Sequence, residues 1–459
     1  MTHYHFIGIG GAGLSPIARV LLEKGHQVSG SDLVMSRMAQ ELRDLGVKVS
    51  IGHDAANVFG ADVVMRSSAI PDNNVEVLAG MNAHIPVVKR VDFLEDLTTE
   101  KEVIAVAGTH GKTTTTAMIS SCLTELGKDP SFVIGGISKN LGTNAHAGEG
   151  EYFVIEADEY DRMFLGLSPQ ILIITNIEHD HPDCYPTPEE YFQAFVDFTG
   201  KIQPGGVLLA CSDHPGTAKL IHLVNGSFKL LTYGTKADSN YLIRDIHHVP
   251  GSGVCFRLSY LDFNVELNLI VPGNHNAYNA TAALAVTHQL GLSSEKSIQS
   301  VEKYSGTGRR FDILGVVDGI TVIDDYGHHP TEIRATLSAT RCRYPDQKIW
   351  AVWQPHTYSR TQTLADEFKA AFTDADHVIV TEIYASREKK QDYSSKEVVE
   401  KMSHPDVRQI AELSDVTDYL IHHIKPGDVL LVLSAGDADQ ISRDVLKILN
   451  DRKGKTHDG

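Results

Sequence analysis

Residues Val103–Met118, "VIAVAGTHGKTTTTAM", place two glycines, a lysine and a run of hydroxyl side chains between an apolar segment and a helical one. Amides of a glycine-bounded turn can cradle phosphate oxygens. A lysine there can neutralise terminal phosphates, and a threonine hydroxyl at the helix start can ligate Mg2+. Gly108, Thr109, His110, Gly111, Lys112, Thr113 and Thr114 are therefore assigned to a phosphate loop. It is shorter than the common pattern of Gly, four residues, then Gly-Lys-Ser/Thr, because position 106 is Val106 and the glycine comes at Gly108. A second stretch, "GIGGAG", follows an apolar segment and opens a helix, and Asp32 lies 19 residues beyond Gly13. Small residues there admit a diphosphate to a helix N-terminus, where free N–H groups and the dipole favour negative charge. Gly10, Gly11, Ala12, Gly13 and Asp32 are assigned to that site, which fits any nucleoside diphosphate and does not specify a nicotinamide cofactor.

These loops need parallel sheets behind them. "YHFIGIG", "HQVSGSD", "ADVVMRSSAI" and "IPVVKRV" read as strands, with "SPIARVLLEKG" as a helix between the first two. Such alternation implies a parallel sheet covered on both faces. "VIAVAG", "EYFVIEADE", "QILIITNIEHD" and "GGVLLACSD" read as strands of a second α/β segment. "KLLTYG", "YLIRDIHHV", "GVCFRLSYL" and "FNVELNLIV" read as short antiparallel strands of an appended β layer, followed by the helix "NAYNATAALAVTHQLG". "GITVIDDYG", "KIWAVWQ", "HVIVTEIY" and "DVLLVLSAG" build a third α/β unit, and the polar tail "NDRKGKTHDG" is expected to fray. At about 100–200 residues per domain, a chain of 459 residues holds two to four. The boundaries are placed at 1–98, 99–305 and 306–459: a Rossmann-like domain, a central ATPase-like parallel sheet with the added layer, and a second Rossmann-like domain.

Composition narrows the function. With 42% hydrophobic and 22% charged residues the chain is expected to be globular. A formal net charge of −18 argues against a nucleic-acid surface, so anionic ligands must be held by local groups. Five cysteines without a CxxC pair suit reduced thiols of a cytoplasmic protein. No run approaches a membrane span, and "MTHYHFIGIGG" lacks the features of a signal peptide.

The compact "GTHGKTT" resembles the Mur ligases and their folate-polyglutamating relatives, which activate a carboxylate with ATP and couple it to an amine. Further blocks follow in that family's order: "IEADEYD" with Glu156, "TNIEHDHPDCY" with Asp180, His181 and Asp183, "GNHNAYNA" with His275, Asn276 and Asn279, "GTGRRFD" with Arg309 and Arg310, "DDYGHHP" with Asp325 and His328, and "QPHTYSRT" with His356 and Arg360. The resemblance spans nearly the whole chain and is nearest to the branch that adds a single alanine. It implies ATP and Mg2+ as cofactors, UDP-N-acetylmuramate and L-alanine as substrates, an acyl-phosphate intermediate, and a monomer or homodimer of the bacterial cytoplasm. It implies that Lys112, His181 and Arg310 are catalytic, that Thr113, Glu156 and His181 hold metal, and that His275, Asn276, Asn279, Arg310 and Asp325 serve ATP. Ser67 and Ser68 of "RSSAI" are expected to line the uridine pocket. His356, Arg360 and His328 are expected to receive alanine, whose carboxylate needs a cation.

Two positions depart from the family's pattern. Thr357 stands where some members have Arg, which leaves Arg360 to meet the alanine carboxylate. Fourteen residues after His181 stands Phe195 rather than the lysine that many members carbamylate, as is common in the alanine-adding branch. His356 and His328 are both candidates for the base that deprotonates the amine, and of the adjacent His328 and His329 one is expected to face the site. Competing readings are a tripeptide-adding ligase on the same nucleotide, an NAD-dependent dehydrogenase, a metallohydrolase on "HDHPDC", and a binding module without catalysis. The dehydrogenase and the hydrolase leave "GTHGKTT" unexplained.

Overall fold

The computed structural model describes residues 1–261 and 263–457, without the side chains of 453–457. The chain divides into two compact units: residues 1–179, 188–242 and 279–301, and residues 180–187, 243–278 and 302–459.

The first unit holds two sheets. Strands β1 (His3–Ile7), β2 (Gln27–Asp32), β3 (Lys48–Ile51), β4 (Val63–Arg66) and β5 (Val87–Lys89) lie in the order β3-β2-β1-β4-β5. Every pairing is parallel. Strand order reverses at β1, so the loop after it opens into a crevice at the strands' carboxyl ends. Helices α1 (Ser15–Glu23), α2 (Arg37–Asp44), α3 (Val75–Asn82) and α4 (Arg90–Leu97) connect and follow these strands. "IPVVKRV" is not one strand: β5 stops at Lys89 and α4 starts at Arg90. Phe93, Leu94 and Leu97 bury one face of α4, and that helical spacing overrides the β-branched run before it.

The second sheet contains β6 (Glu102–Ala107), β7 (Ser131–Val133), β8 (Ala145–His146), β9 (Tyr152–Glu156), β10 (Ile171–Ile174), β11 (Val207–Cys211) and β12 (Lys229–Gly234), in the order β12-β11-β10-β6-β9-β7-β8. Helix α5 (Lys112–Glu125) follows β6, α6 (Pro188–Thr199) follows β10, and α7 (Pro215–Leu223) joins β11 to β12. "KLLTYG" corrects the sequence reading: β12 runs parallel to β11, and its last residues pair parallel with the start of β13 (Tyr241–His248). Helix α7 supplies the crossover that a parallel neighbour requires. β14 (Val254–Tyr260) and β15 (Phe263–Leu269), in the second unit, form an antiparallel hairpin as expected, and β14 also neighbours β13. Helices α8 (Asn274–Gln289) and α9 (Ser294–Glu302) follow.

The second unit's sheet has β16 (Asp312–Val317), β17 (Ile320–Asp325), β18 (Ile349–Gln354), β19 (His377–Val380), β20 (Val407–Gln409) and β21 (Val429–Ser434), in the order β16-β17-β21-β18-β19-β20. Only edge strand β16 is antiparallel to its neighbour. Trp353, Phe368 and Phe372 fill the core on one face, and Trp350, Val416 and Leu430 on the other. Helices α10 (Pro330–Arg343) and α11 (Tyr358–Thr363) follow β17 and β18. The C-terminal helix extends through the polar tail to His457, and residues 458 and 459 lie outside the described residues. All five cysteines are free. Among the described residues no helix is long and apolar enough to cross a membrane.

Candidate active site

Strand β6 lies between β9 and β10, with Val106 opposite Glu156 and Ala107 opposite Ile174. Its loop therefore emerges between Glu156 and the pair Thr175–Asn176. Gly108 has φ +135°, and a Cβ there would stand 2.0 Å from the Thr175 Oγ1, so only glycine fits. Residues after β10 clamp the shortened loop. The His110 N–H donates to Asn176 Oδ1 (2.9 Å), and Asn176 Nδ2 and Thr175 Oγ1 donate to the His110 carbonyl (3.0 and 2.6 Å). Gly111 caps α5 in a left-handed conformation, and the Thr115 N–H bonds back to its carbonyl. The amides of the first turn before Thr115 have no intrahelical acceptor, which suits them to phosphate.

Lys112 leads that turn. Its Nζ donates to the carbonyls of Gly108 (2.5 Å) and Thr109 (3.1 Å) and lies 2.9 Å from a Glu159 carboxylate oxygen. Burial alone would lower the Lys112 pKa. Glu159, then Glu156 and Asp158, outweigh it and hold the pKa above the ordinary value. Thr113 Oγ1 donates to Glu156 Oε1 at 3.1 Å, and Glu156 Oε2 accepts from the Gly135 N–H at 2.7 Å. A hydroxyl and a carboxylate oxygen held together at a helix start are the hard donors that Mg2+ takes, so these residues fit the ion. Thr114 is half-buried on the same turn. Asn279 is brought to the loop: its Oδ1 accepts from Thr115 Oγ1 and stands 2.8 Å from where a Gly111 Cβ would be. Asn276 is buried and donates to the Pro272 carbonyl, while His275 is exposed in the same turn of α8.

In the first sheet the Gly10 N–H donates to Asp32 Oδ2 (2.9 Å), and Ser36 Oγ donates to the Gly10 carbonyl (2.9 Å). Asp32 thus braces the "GIGGAG" turn in addition to standing at its mouth. The Gly11 N–H turns back to the Gly8 carbonyl, and Ser67 packs on Gly8 across the crevice.

The second unit gathers the histidines. Arg360 (3% exposed) places Nε and Nη2 both 2.8 Å from Oδ1 of Asp180 (6% exposed). Burial opposes ionisation of Asp180, but Arg360 holds its carboxyl well below the ordinary range. Arg360 Nη1 lies 2.9 Å from His356 Nδ1, and the His328 and His356 rings are 5.6 Å apart. A guanidinium only donates, so His356 Nδ1 is the acceptor and its proton sits on Nε2. His328 Nδ1 faces the Tyr326 carbonyl at 3.0 Å and must donate, leaving the lone pair on Nε2. Burial first, then Arg360, pushes His328 down to about 3. Burial, then His328 and Arg360, pushes His356 down to about 2. His329 is buried and is the N-cap of α10, in a capping box with Glu332. Arg310 pairs with Glu332 at 3.4 Å and lies over the Tyr326 ring. The two Asp325 carboxylate oxygens accept the Phe311 and Gly327 N–H groups, both at 2.7 Å. His181 sits in left-handed backbone beside Asp180, a conformation costing about 1–3 kcal/mol that clusters at functional sites. Asp183 binds Arg387 (2.8 Å) as Asp180 binds Arg360, so the acids of "HDHPDC" are taken by arginines.

Sequence reasoning missed Glu159 and Tyr191, whose hydroxyl lies 2.9 Å from Thr109 Oγ1 and donates to Glu159. Glu159 sits in "IEADEYD" three residues past Glu156. Its only signal was a further acid after a strand end.

Glycine loops at the carboxyl ends of parallel strands define a nucleotide-binding α/β protein. Family models cover most of its length: "Mur ligase family, catalytic domain" over residues 3–102, "Mur ligase middle domain" over 106–287 and "Mur ligase, glutamate ligase domain" over 309–436. The chain belongs to the Mur ligase family. It is 42% identical to UDP-N-acetylmuramate–L-alanine ligases of Geotalea daltonii (97% of this chain, 98% of the relative) and Acidobacterium capsulatum (98% of each). The crystal structure of UDP-N-acetylmuramate–alanine ligase from Thermotoga maritima superposes with a TM-score of 0.85 at 29% identity, covering 98% of this chain and 100% of that one. A murein peptide ligase from Psychrobacter arcticus gives 0.75 at 25% identity, covering 98% and 99%.

Proposed function

We infer that this chain is an ATP-dependent ligase of peptidoglycan precursor synthesis that joins L-alanine to the lactyl carboxylate of UDP-N-acetylmuramate. The observation that carries the chemistry is the clamped loop, with Lys112 at its centre and Thr113 paired to Glu156. Alanine addition is favoured over tripeptide addition by the 42% identity to alanine ligases and by the better superposition on one of known structure. The work divides over residues 1–98 for the UDP substrate, 99–305 for ATP and 306–459 for the amino acid, in the cytoplasm.

Thr113 and Glu156 would hold Mg2+, which when bound offsets negative charge on the phosphate oxygens. The amides of the first turn of α5 and Lys112 grip the triphosphate and stabilise charge as the γ-phosphoryl group passes to the carboxylate, its bond to the β-phosphate breaking with ADP as the leaving group. The acyl phosphate so formed replaces a poor leaving group, oxide, by phosphate. The alanine amine attacks the acyl carbon, the amide forms and phosphate leaves. Arg360 already has a carboxylate partner in Asp180, so His356 Nε2–H is the donor it orients toward the amino-acid carboxylate. His328, with its Nε2 lone pair, is the better placed of the two imidazoles to accept the amine proton. Phosphate release measured with UDP-N-acetylmuramate and ATP, omitting each amino acid in turn, tests the reading. Release should depend on L-alanine, and release with other amino acids but not alanine would overturn it.

A further inference from the structure

We propose that Arg90 is the cation that grips the diphosphate of the UDP substrate, and that Asp158 holds it in reserve until the substrate arrives. The proposal rests on the reading of "GIGGAG" as the diphosphate loop. Arg90 is the first residue of α4, and its guanidinium lies directly on Gly13: a Cβ there would stand 2.6 Å from Nη1. Glycine at position 13 is therefore needed for the approach of this side chain as well as of a ligand. The Arg90 side chain is nine-tenths buried, and among the described residues its Nε–H has no hydrogen-bond partner. Nη1 reaches Asp158 Oδ2 at 3.4 Å, well beyond the roughly 2.7–2.9 Å of a strong charge-assisted bond. A buried guanidinium so poorly satisfied destabilises the fold unless another anion completes it.

The neighbouring backbone lacks an anion too. The N-cap of α1 is Leu14, which offers no side-chain acceptor, and its first turn carries no acidic residue. In the same domain α2 and α3 are capped by Ser36 and Asn74, whereas α4, which Arg90 opens, also lacks a side-chain cap but has Asp92 in its first turn. An uncapped helix start beneath a half-satisfied buried arginine, in a chain of net charge −18, is complementary to a diphosphate. Asp158 also lies between Glu156 and Glu159, which bond Thr113 and Lys112. Arg90 leaving Asp158 for the diphosphate thus changes the charge balance of the segment that lines the triphosphate loop.

The test measures binding of UDP by calorimetry, and of uridine by ligand-observed NMR, to the full chain without ATP. Arg90→Ala should weaken UDP binding by about 10–100-fold and leave uridine binding unchanged. Arg90→Lys, which keeps the charge but loses the planar fork, should fall between, and Gly13→Ala, which displaces the guanidinium, should resemble Arg90→Ala. Asp158→Asn should bind UDP at least as tightly as the parent. Unchanged UDP affinity in Arg90→Ala, or equal losses for UDP and uridine, would overturn the assignment. A parent chain that binds UDP no better than uridine would instead remove the underlying reading of the loop, and the proposal with it.

Discussion

Asp180→Asn isolates the buried ion pair of the second unit. Arg360 and Asp180 are 3% and 6% exposed, and two guanidinium nitrogens lie 2.8 Å from one carboxylate oxygen. Unit charges about 4 Å apart interact by about 4 kcal/mol at an effective dielectric of about 20. Asn keeps the shape and an acceptor oxygen but leaves the guanidinium buried without a counter-charge, a situation that costs about 3–5 kcal/mol. Removing both charges, in Asp180→Asn with Arg360→Met, should cost less than the two single losses added together. The chain's two tryptophans, Trp350 and Trp353, both lie in β18, so urea unfolding followed by their fluorescence reports on this unit. A folded-state carboxyl held far below its ordinary pKa contributes stability above the unfolded pKa and loses it as pH falls through the folded value. This contribution should therefore be constant from pH 7 down to about 5. A loss under about 1 kcal/mol for Asp180→Asn, or additive losses in the double variant, would refute the reasoning.

Lys112→Ala should lower turnover by about 100–1,000-fold or more with an unchanged circular dichroism spectrum, and near-normal phosphate release would remove Lys112 from the chemistry. Gly108→Ala places a methyl 2.0 Å from Thr175 Oγ1 and should cut turnover by about 100-fold while UDP binding persists, as competition assays can read. Glu76 is fully buried in the first domain. Burial raises its pKa, but hydrogen bonds from His5, Ser31, Asn57 and the Asp54 N–H outweigh it and bring the value to about 2. Its stabilisation, about 3 kcal/mol, is present above its unfolded pKa and is lost as pH falls from about 4.5 toward 2. Glu76→Gln should flatten that acid limb in calorimetric melts between pH 3 and 6, and an unchanged limb would place the sensitivity elsewhere.

The sequence by itself determined the two glycine loops and the strands that launch them, because each is written in consecutive residues. Apolar strand, glycine turn and helix start follow from short-range backbone sterics at Gly108 and Gly111 and from the continuous apolar runs of β6 and β10. Tertiary structure decided the partners. The sequence placed Arg360 with an incoming carboxylate, yet Asp180, 180 positions away, already occupies it. Lys112 answers to Glu159 and Gly13 to Arg90, contacts set by packing between elements far apart in the chain. Sheet order also made β12 parallel, since α7 carries the chain across before it pairs. His328 and His329, identical in type and adjacent, were distinguished only by their surroundings: His329 caps α10, and His328 carries its lone pair on Nε2 because the Tyr326 carbonyl takes its proton-bearing nitrogen. Local pattern fixes where backbone amides can meet a phosphate. Which charges stand beside them depends on long-range packing, and that is not written in any one window of residues.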